Sequence, residues 1–82
     1  MKANIEWISQ NVSLGKRVFL FCFGDKCMSG RITEFKKIGM VNEFEIWVDF
    51  IEPDFFNKEL ESNNTFTINE ASKILGKGEV KL

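Results

Sequence analysis

Between Val18 and Phe35 the chain reads as two extended runs around a glycine-aspartate pair. The first run, "VFLFCF", is continuously apolar and rich in β-branched and aromatic residues, and the second begins at Lys26. Glycine as the first of two loop residues fits a type II′ turn, whose backbone twist suits hairpin strands. That turn fixes the register: Phe23 faces Lys26, Cys22 faces Cys27, Phe21 faces Met28, Leu20 faces Ser29 and Phe19 faces Gly30. Alternation then puts Val18, Leu20 and Cys22 on one face and Phe19, Phe21 and Phe23 on the other, so both faces need cover. A flat sheet would leave three phenylalanines in water. A strongly curved sheet closing into a barrel, or a protein interface, shelters them. Gly30, opposite Phe19, is where such a strand can bend.

The segment "FEIWVDFI" alternates cleanly and predicts a third strand, with Phe44, Ile46, Val48 and Phe50 inward and Glu45, Trp47 and Asp49 outward. Pro53, which lacks a ladder donor, ends it. "EPDFFNKELESNN" follows as a polar loop or hairpin tip that carries Phe55 and Phe56. Upstream, Ile5, Ile8 and Val12 stand three and four residues apart, with Asn4 as N-cap and Gly15 beyond the end. This spacing predicts a short amphipathic helix within residues 1–15. Trp7 falls outside the stripe, at the edge of the core or awaiting a partner. Downstream, Thr65 to Ile68 predicts a short strand. Thr67 and Glu70 have capping-box spacing, and "NEASKIL" reads as one or two helical turns stopped by Gly76. Glu79 to Leu82 closes the sheet. The expected fold is therefore mainly β: one domain over residues 1–82, with a five-stranded barrel over 16–82, a short N-terminal helix and a helical turn before the last strand.

A chain of 82 residues can bury roughly 60% of its unfolded surface, a small core for one domain. With 44% apolar residues, nine of them Phe, it is globular rather than disordered. No apolar run approaches the roughly 20 residues of a membrane span, and residues 1–15 lack the pattern of a signal peptide. The expectation is a cytoplasmic protein without a membrane partner. Cys22 and Cys27 are too few for a disulfide scaffold and, without histidine, make no zinc site. They are read as two reduced, small hydrophobes, with a cross-strand disulfide or redox switch as the alternative that the register allows. No metal or cofactor is expected.

Chemistry narrows the function further. The absence of histidine removes the commonest general base, no glycine-rich phosphate loop occurs, and no serine or cysteine has an evident activating partner. A non-enzymatic protein that works by binding is expected.

The net charge of −1 conceals an asymmetry. Residues 1–41 carry seven basic and three acidic side chains, and residues 42–82 carry four basic and nine acidic ones. Such a distribution bears on surfaces and partners rather than on fold.

The string "GKRVFLFCFGDKCMSGRITEFK" resembles the Sm-like (Lsm- and Hfq-type) family of small β-barrels, over residues 16–36. The matching positions are the apolar Val18, Leu20 and Cys22, the Gly24-Asp25 turn, Gly30, Ile32 and the aromatic Phe35. The resemblance implies a small Sm-like or SH3-like barrel, and it leaves open a homo-oligomer, because strand edges pair between subunits in that family. Lys36 stands where the family usually has aspartate, Asn42 lies two residues beyond the usual base-reading asparagine, and Lys77-Gly78 would replace an Arg-Gly pair. The resemblance therefore supports the barrel more than it supports RNA binding.

Two surfaces compete as the binding site. Residues 42–61 hold seven acids against the single Lys58, with aromatics interspersed. Glu45, Trp47, Asp49, Asp54, Phe55 and Phe56 there suit docking to a larger protein with a basic, nucleic-acid-binding groove, the aromatics as anchors and the acids repelling wrong partners. Inhibitors of nucleic-acid machinery, phage-encoded ones among them, often have this size and charge. In the second reading Lys16, Arg17, Arg31, Lys36 and Lys37 contact phosphates while Phe35 stacks on a base of single-stranded RNA.

Overall fold

A computed structural model describes residues 1–39, 41–56, 58–61 and 64–81. Six antiparallel strands form a closed barrel: β1 (Lys2–Trp7), β2 (Val18–Phe23), β3 (Lys26–Lys37), β4 (Glu43–Phe50), β5 (Thr65–Glu70) and β6 (Lys73–Lys81). Around the barrel they run β1-β4-β3-β2-β5-β6, and each pairs on both sides. A 3₁₀ turn, Pro53–Phe56, follows β4.

The hairpin that joins β2 to β3 adopts the register its turn chemistry dictates, from Val18 opposite Arg31 to Phe23 opposite Lys26. Gly24 has φ +62° and Asp25 does not have positive φ, as a type II′ turn requires. Closure covers one of the hairpin's two apolar faces. Phe19, Phe21 and Phe23 point inward and are buried, while Val18 and Leu20 lie on the outer face. Phe21 is enclosed by Phe50 and Phe66, at ring-centroid distances of 5.5 and 5.9 Å. Strand β3 is long enough to serve two neighbours: Lys26–Arg31 pairs with β2 and Gly30–Lys37 with β4, with a bulge between Ile32 and Glu34. Bulges of this kind bend a strand and help close a barrel. In β4, Ile46, Val48 and Phe50 are buried as the alternation predicts, and Phe44 is half-buried.

The N-terminal helix is corrected to strand β1. A period of two, Ala3-Ile5-Trp7, overrides the helical spacing of Ile5, Ile8 and Val12, because pairing with both β4 and β6 buries all three inward residues. Trp7 belongs to the core: it meets Phe19 edge-on at 5.4 Å and donates its indole N–H to the Val12 carbonyl at 2.8 Å. The following chain folds back irregularly, Ser9 Oγ accepting from the Val12 amide at 3.0 Å, and Ile8 remains exposed.

The helical turn before the last strand is corrected too. Glu70 pairs with Lys73 across the two-residue turn Ala71-Ser72, so "NEASKIL" is a β5–β6 hairpin. Thr67 donates its hydroxyl to Asn69 Oδ1 at 2.7 Å instead of capping a helix, and a register shift at Ile68/Asn69 turns Leu75 into the core. With β1 and the long β6 the strand count is six rather than five. Met40, Asn57, Ser62, Asn63 and Leu82 lie outside the described residues.

Cys22 and Cys27 are joined by a disulfide, which corrects the expectation of reduced thiols. Their Cα atoms are 4.1 Å apart, the close approach typical of the pair without ladder hydrogen bonds next to a two-residue turn.

Candidate functional site

The outer face of β4 is the first place to look, because alternation aims Glu43, Glu45, Trp47 and Asp49 away from the core. Closure sets basic residues of β1 and β3 beside these acids. Glu45, only 17% exposed, lies between Lys2 at 3.5 Å and Lys36 at 3.8 Å. Trp47 is half-buried, opposite Lys2 on one side and Glu34 on the other, with the Lys2 ammonium 5.9 Å from its ring. Asp49 is opposite Arg31. The acidic block of the sequence thus becomes a mixed ladder of both signs. Exposed pairs of this kind contribute little individually, about 0–1 kcal/mol.

The remaining members of the acidic and aromatic set lie on the 3₁₀ turn. Phe56 is fully buried and plugs the barrel between Phe23 and Phe50, at 4.8 and 5.0 Å, so it is a core residue and not a docking residue. Phe55 is 38% exposed, rests on Phe56 and carries the Lys26 ammonium 4.7 Å from its ring. Lys26 in turn pairs with Glu59 at 3.1 Å. Asp54 is exposed beside it. Glu45, Trp47 and Asp49 therefore share one strand face, while Asp54 and Phe55 belong to a separate turn.

The basic set is dispersed. Lys16 pairs with Glu34 at 3.5 Å, and Arg17 pairs with Glu70 and stacks its guanidinium 4.6 Å over Phe19. Arg31 and Lys36 share the outer face with the acidic set, and Lys37 is opposite Phe44. Phe35 is half-buried and packs edge-on against Phe44 at 6.2 Å, on the Ile46 side of β3. These six residues do not form one basic surface around an exposed ring.

A groove of about 800 Å³ crosses the outer face of β5, β6 and β1 as far as the start of β4. Asn4, Glu6, Lys77 and Glu79 form its floor, Thr65, Thr67 and Cys22 one side, and Glu43 and Ile38 the other. None of these floor residues was among the binding residues expected from the sequence, where Asn4 was read as a helix N-cap and Lys77 as the counterpart of an Arg-Gly arginine. The signal was present in the alternation of "KANIEW" and "GKGEV", but the helical reading of residues 1–15 hid it. Among the described residues, no group of three or more His, Cys, Asp and Glu side chains is placed to hold a metal ion, and no helix is long and apolar enough to cross a membrane.

Compared with known protein families, curated proteins and solved structures, the chain matches none.

Proposed function

We propose that this chain is a non-enzymatic regulatory or inhibitory protein of the Sm-like or SH3-like barrel type, docking a larger protein through the outer face of β4. The observation that carries this reading is Trp47, a large aromatic held half-exposed on β4, a strand paired on both sides, between Glu45 and Asp49. A tryptophan so placed supplies apolar area at little cost in side-chain entropy, and the surrounding charges select the partner. A basic partner surface competes with Lys2, Lys36 and Arg31 for the acids of this face, as a nucleic-acid-binding groove would. Closure of the barrel favours a partner of a different kind over a strand-edge ring, because every strand already has two neighbours.

The test is affinity capture from the native cell with the wild-type chain and with Trp47→Ala. The expected result is a captured protein with a basic surface, resistant to nuclease and lost with Trp47→Ala while the circular dichroism spectrum is unchanged. Capture that disappears on ribonuclease treatment and survives Trp47→Ala supports RNA binding instead.

A further inference from the structure

The two sulfurs of the Cys22–Cys27 link have unequal surroundings. Cys22 is buried, and Thr67 of β5 lies directly across from it. Cys27 is exposed, and on the side away from β2 it has no ladder partner among the described residues, because β3 pairs with β4 only from Gly30 onward. From this geometry we infer that the link is a reversible redox switch, opened by a dithiol at Cys27 Sγ, that loosens the 3₁₀ turn Pro53–Phe56. The inference does not depend on the docking reading of β4.

Access selects the sulfur. A thiolate attacks one sulfur of a disulfide from the side opposite the sulfur that leaves. Because Cys22 and Cys27 are direct cross-strand partners, their link lies across the ladder. Extended past Cys22, that line meets β5. Extended past Cys27, it leaves the sheet, and β3 regains a neighbour only two residues on, where the Ile51 amide donates to the Ser29 carbonyl at 3.5 Å. The attacking thiolate therefore forms a mixed disulfide with Cys27 and expels the Cys22 sulfur as a thiolate. The second thiolate of the reagent then attacks the reagent sulfur of the mixed disulfide and releases the Cys27 thiolate. The dithiol leaves as a disulfide, its two electrons have reduced the link, and each cysteine takes up one of the protons it gave up.

The residues enclosed by the link connect it to the turn. Pairing of β2 with β5 ends at Cys22, so Phe23 to Lys26 project beyond it as the tip of the hairpin. Phe23 packs on Phe56 at 4.8 Å, and the Lys26 ammonium lies 4.7 Å from the Phe55 ring and 3.1 Å from the Glu59 carboxylate. With the link closed, the strands cannot part beside these contacts. With it open, the Phe23–Lys26 pair is the one rung left beyond the β5 ladder, and the tip opens locally together with the turn it holds. Phe50, on β4, still packs on Phe56 at 5.0 Å, so the turn loosens while the barrel stays closed.

The test compares the full chain, oxidised and after dithiothreitol, without denaturant. Amide relaxation dispersion in NMR reads the opening. The Phe55 amide, bonded to the Glu52 carbonyl at 3.0 Å, and the Leu60 amide, bonded to the Phe56 carbonyl at 3.0 Å, report on the turn. The Trp7 amide, bonded to the Asn42 carbonyl at 2.7 Å at the opposite end of the barrel, is the control. The expected result is complete reduction of the native chain, an open population at Phe55 and Leu60 about tenfold or more that of the oxidised chain, and no dispersion at Trp7. Reoxidation should restore the starting state, and Cys22→Ala/Cys27→Ala should show the same dispersion without reductant. Glutathione with an iodoacetamide trap, followed by peptide mapping, should place the mixed disulfide on Cys27 and the alkyl group on Cys22. Reduction that proceeds only in denaturant, glutathione on Cys22, or dispersion that is unchanged or extends to Trp7 overturns the switch.

Discussion

Gly30 lies directly beneath the ring of Phe50: a Cβ built on it would stand 2.8 Å from Phe50 Cδ1 and 2.8 Å from Val48 Cγ1. Strand β3 changes partner from β2 to β4 around this residue, and the missing side chain is what lets Phe50 lean over the bend. Gly30→Ala should therefore destabilise the barrel by overpacking, about 1–3 kcal/mol. A urea titration followed by tryptophan fluorescence reads this as a lower midpoint with an unchanged slope. An unaltered midpoint would mean that the bend does not depend on the contact.

Phe55 and Phe56 are neighbours in sequence with opposite fates. Phe56 has no exposed surface and touches Phe23, Phe50 and Phe55, whereas Phe55 is 38% exposed and faces Lys26. Phe56→Ala should cost about 3–5 kcal/mol, the range for a truncated core phenylalanine. Phe55→Ala should change stability by about 1 kcal/mol or less, the size of a partly exposed cation–π contact. Thermal melts of the two variants side by side decide the matter, and similar losses would show that the 3₁₀ turn is not a plug.

Local rules made the β2–β3 hairpin legible in the sequence, because a two-residue turn that starts with glycine fixes every cross-strand pair from Phe23–Lys26 to Phe19–Gly30. The inward row of β4 was legible for the same reason. Strand β1 was not. Ile5, Ile8 and Val12 satisfy a helical spacing as well as Ala3, Ile5 and Trp7 satisfy an extended one, and the choice is made by β4 and β6, some forty and seventy residues away. The same non-local pairing limited the reading of the site. Lys2 is far from Glu45 in sequence and Lys36 belongs to the basic half of the chain, yet the two bracket it in space, so the charge asymmetry between the halves of the chain cancels on the β4 face. The groove acids Glu6 and Glu79 were not read as one site because they come to the same face only when β1 and β6 pair.

The Cys22–Cys27 link spans a hairpin already held by its ladder and by Phe21 and Phe23 in the core. Reduction should leave the barrel folded but less stable. For a closed loop this short, the chain-entropy account gives about 2 kcal/mol. Urea midpoints with and without a phosphine reductant, together with thiol counts, test this. Loss of native circular dichroism on reduction alone would show that the link, and not the phenylalanine row, holds the hairpin.

The two tight turns of the barrel invite one last comparison. Gly24 opens the β2–β3 turn with φ +62°, and Ala71 opens the β5–β6 turn with φ +54°. Both backbones are left-handed, but only Gly24 is free of the Cβ clash that costs an L-residue roughly 1–2 kcal/mol there. Glycine at position 71 removes that clash and adds back part of the difference as lost backbone entropy on folding, about 0.5–1 kcal/mol. Ala71→Gly should therefore be a surface substitution that stabilises, by about 0.5–1 kcal/mol. In a domain of this size that raises the melting temperature by a few degrees, about 2–8 °C. Ala71→Val, which stiffens the same position with a β-branched side chain, should lower it. A calorimetric scan of the two variants against wild type checks the sign, and a melting temperature that falls for Ala71→Gly would show that the alanine backbone is not under strain.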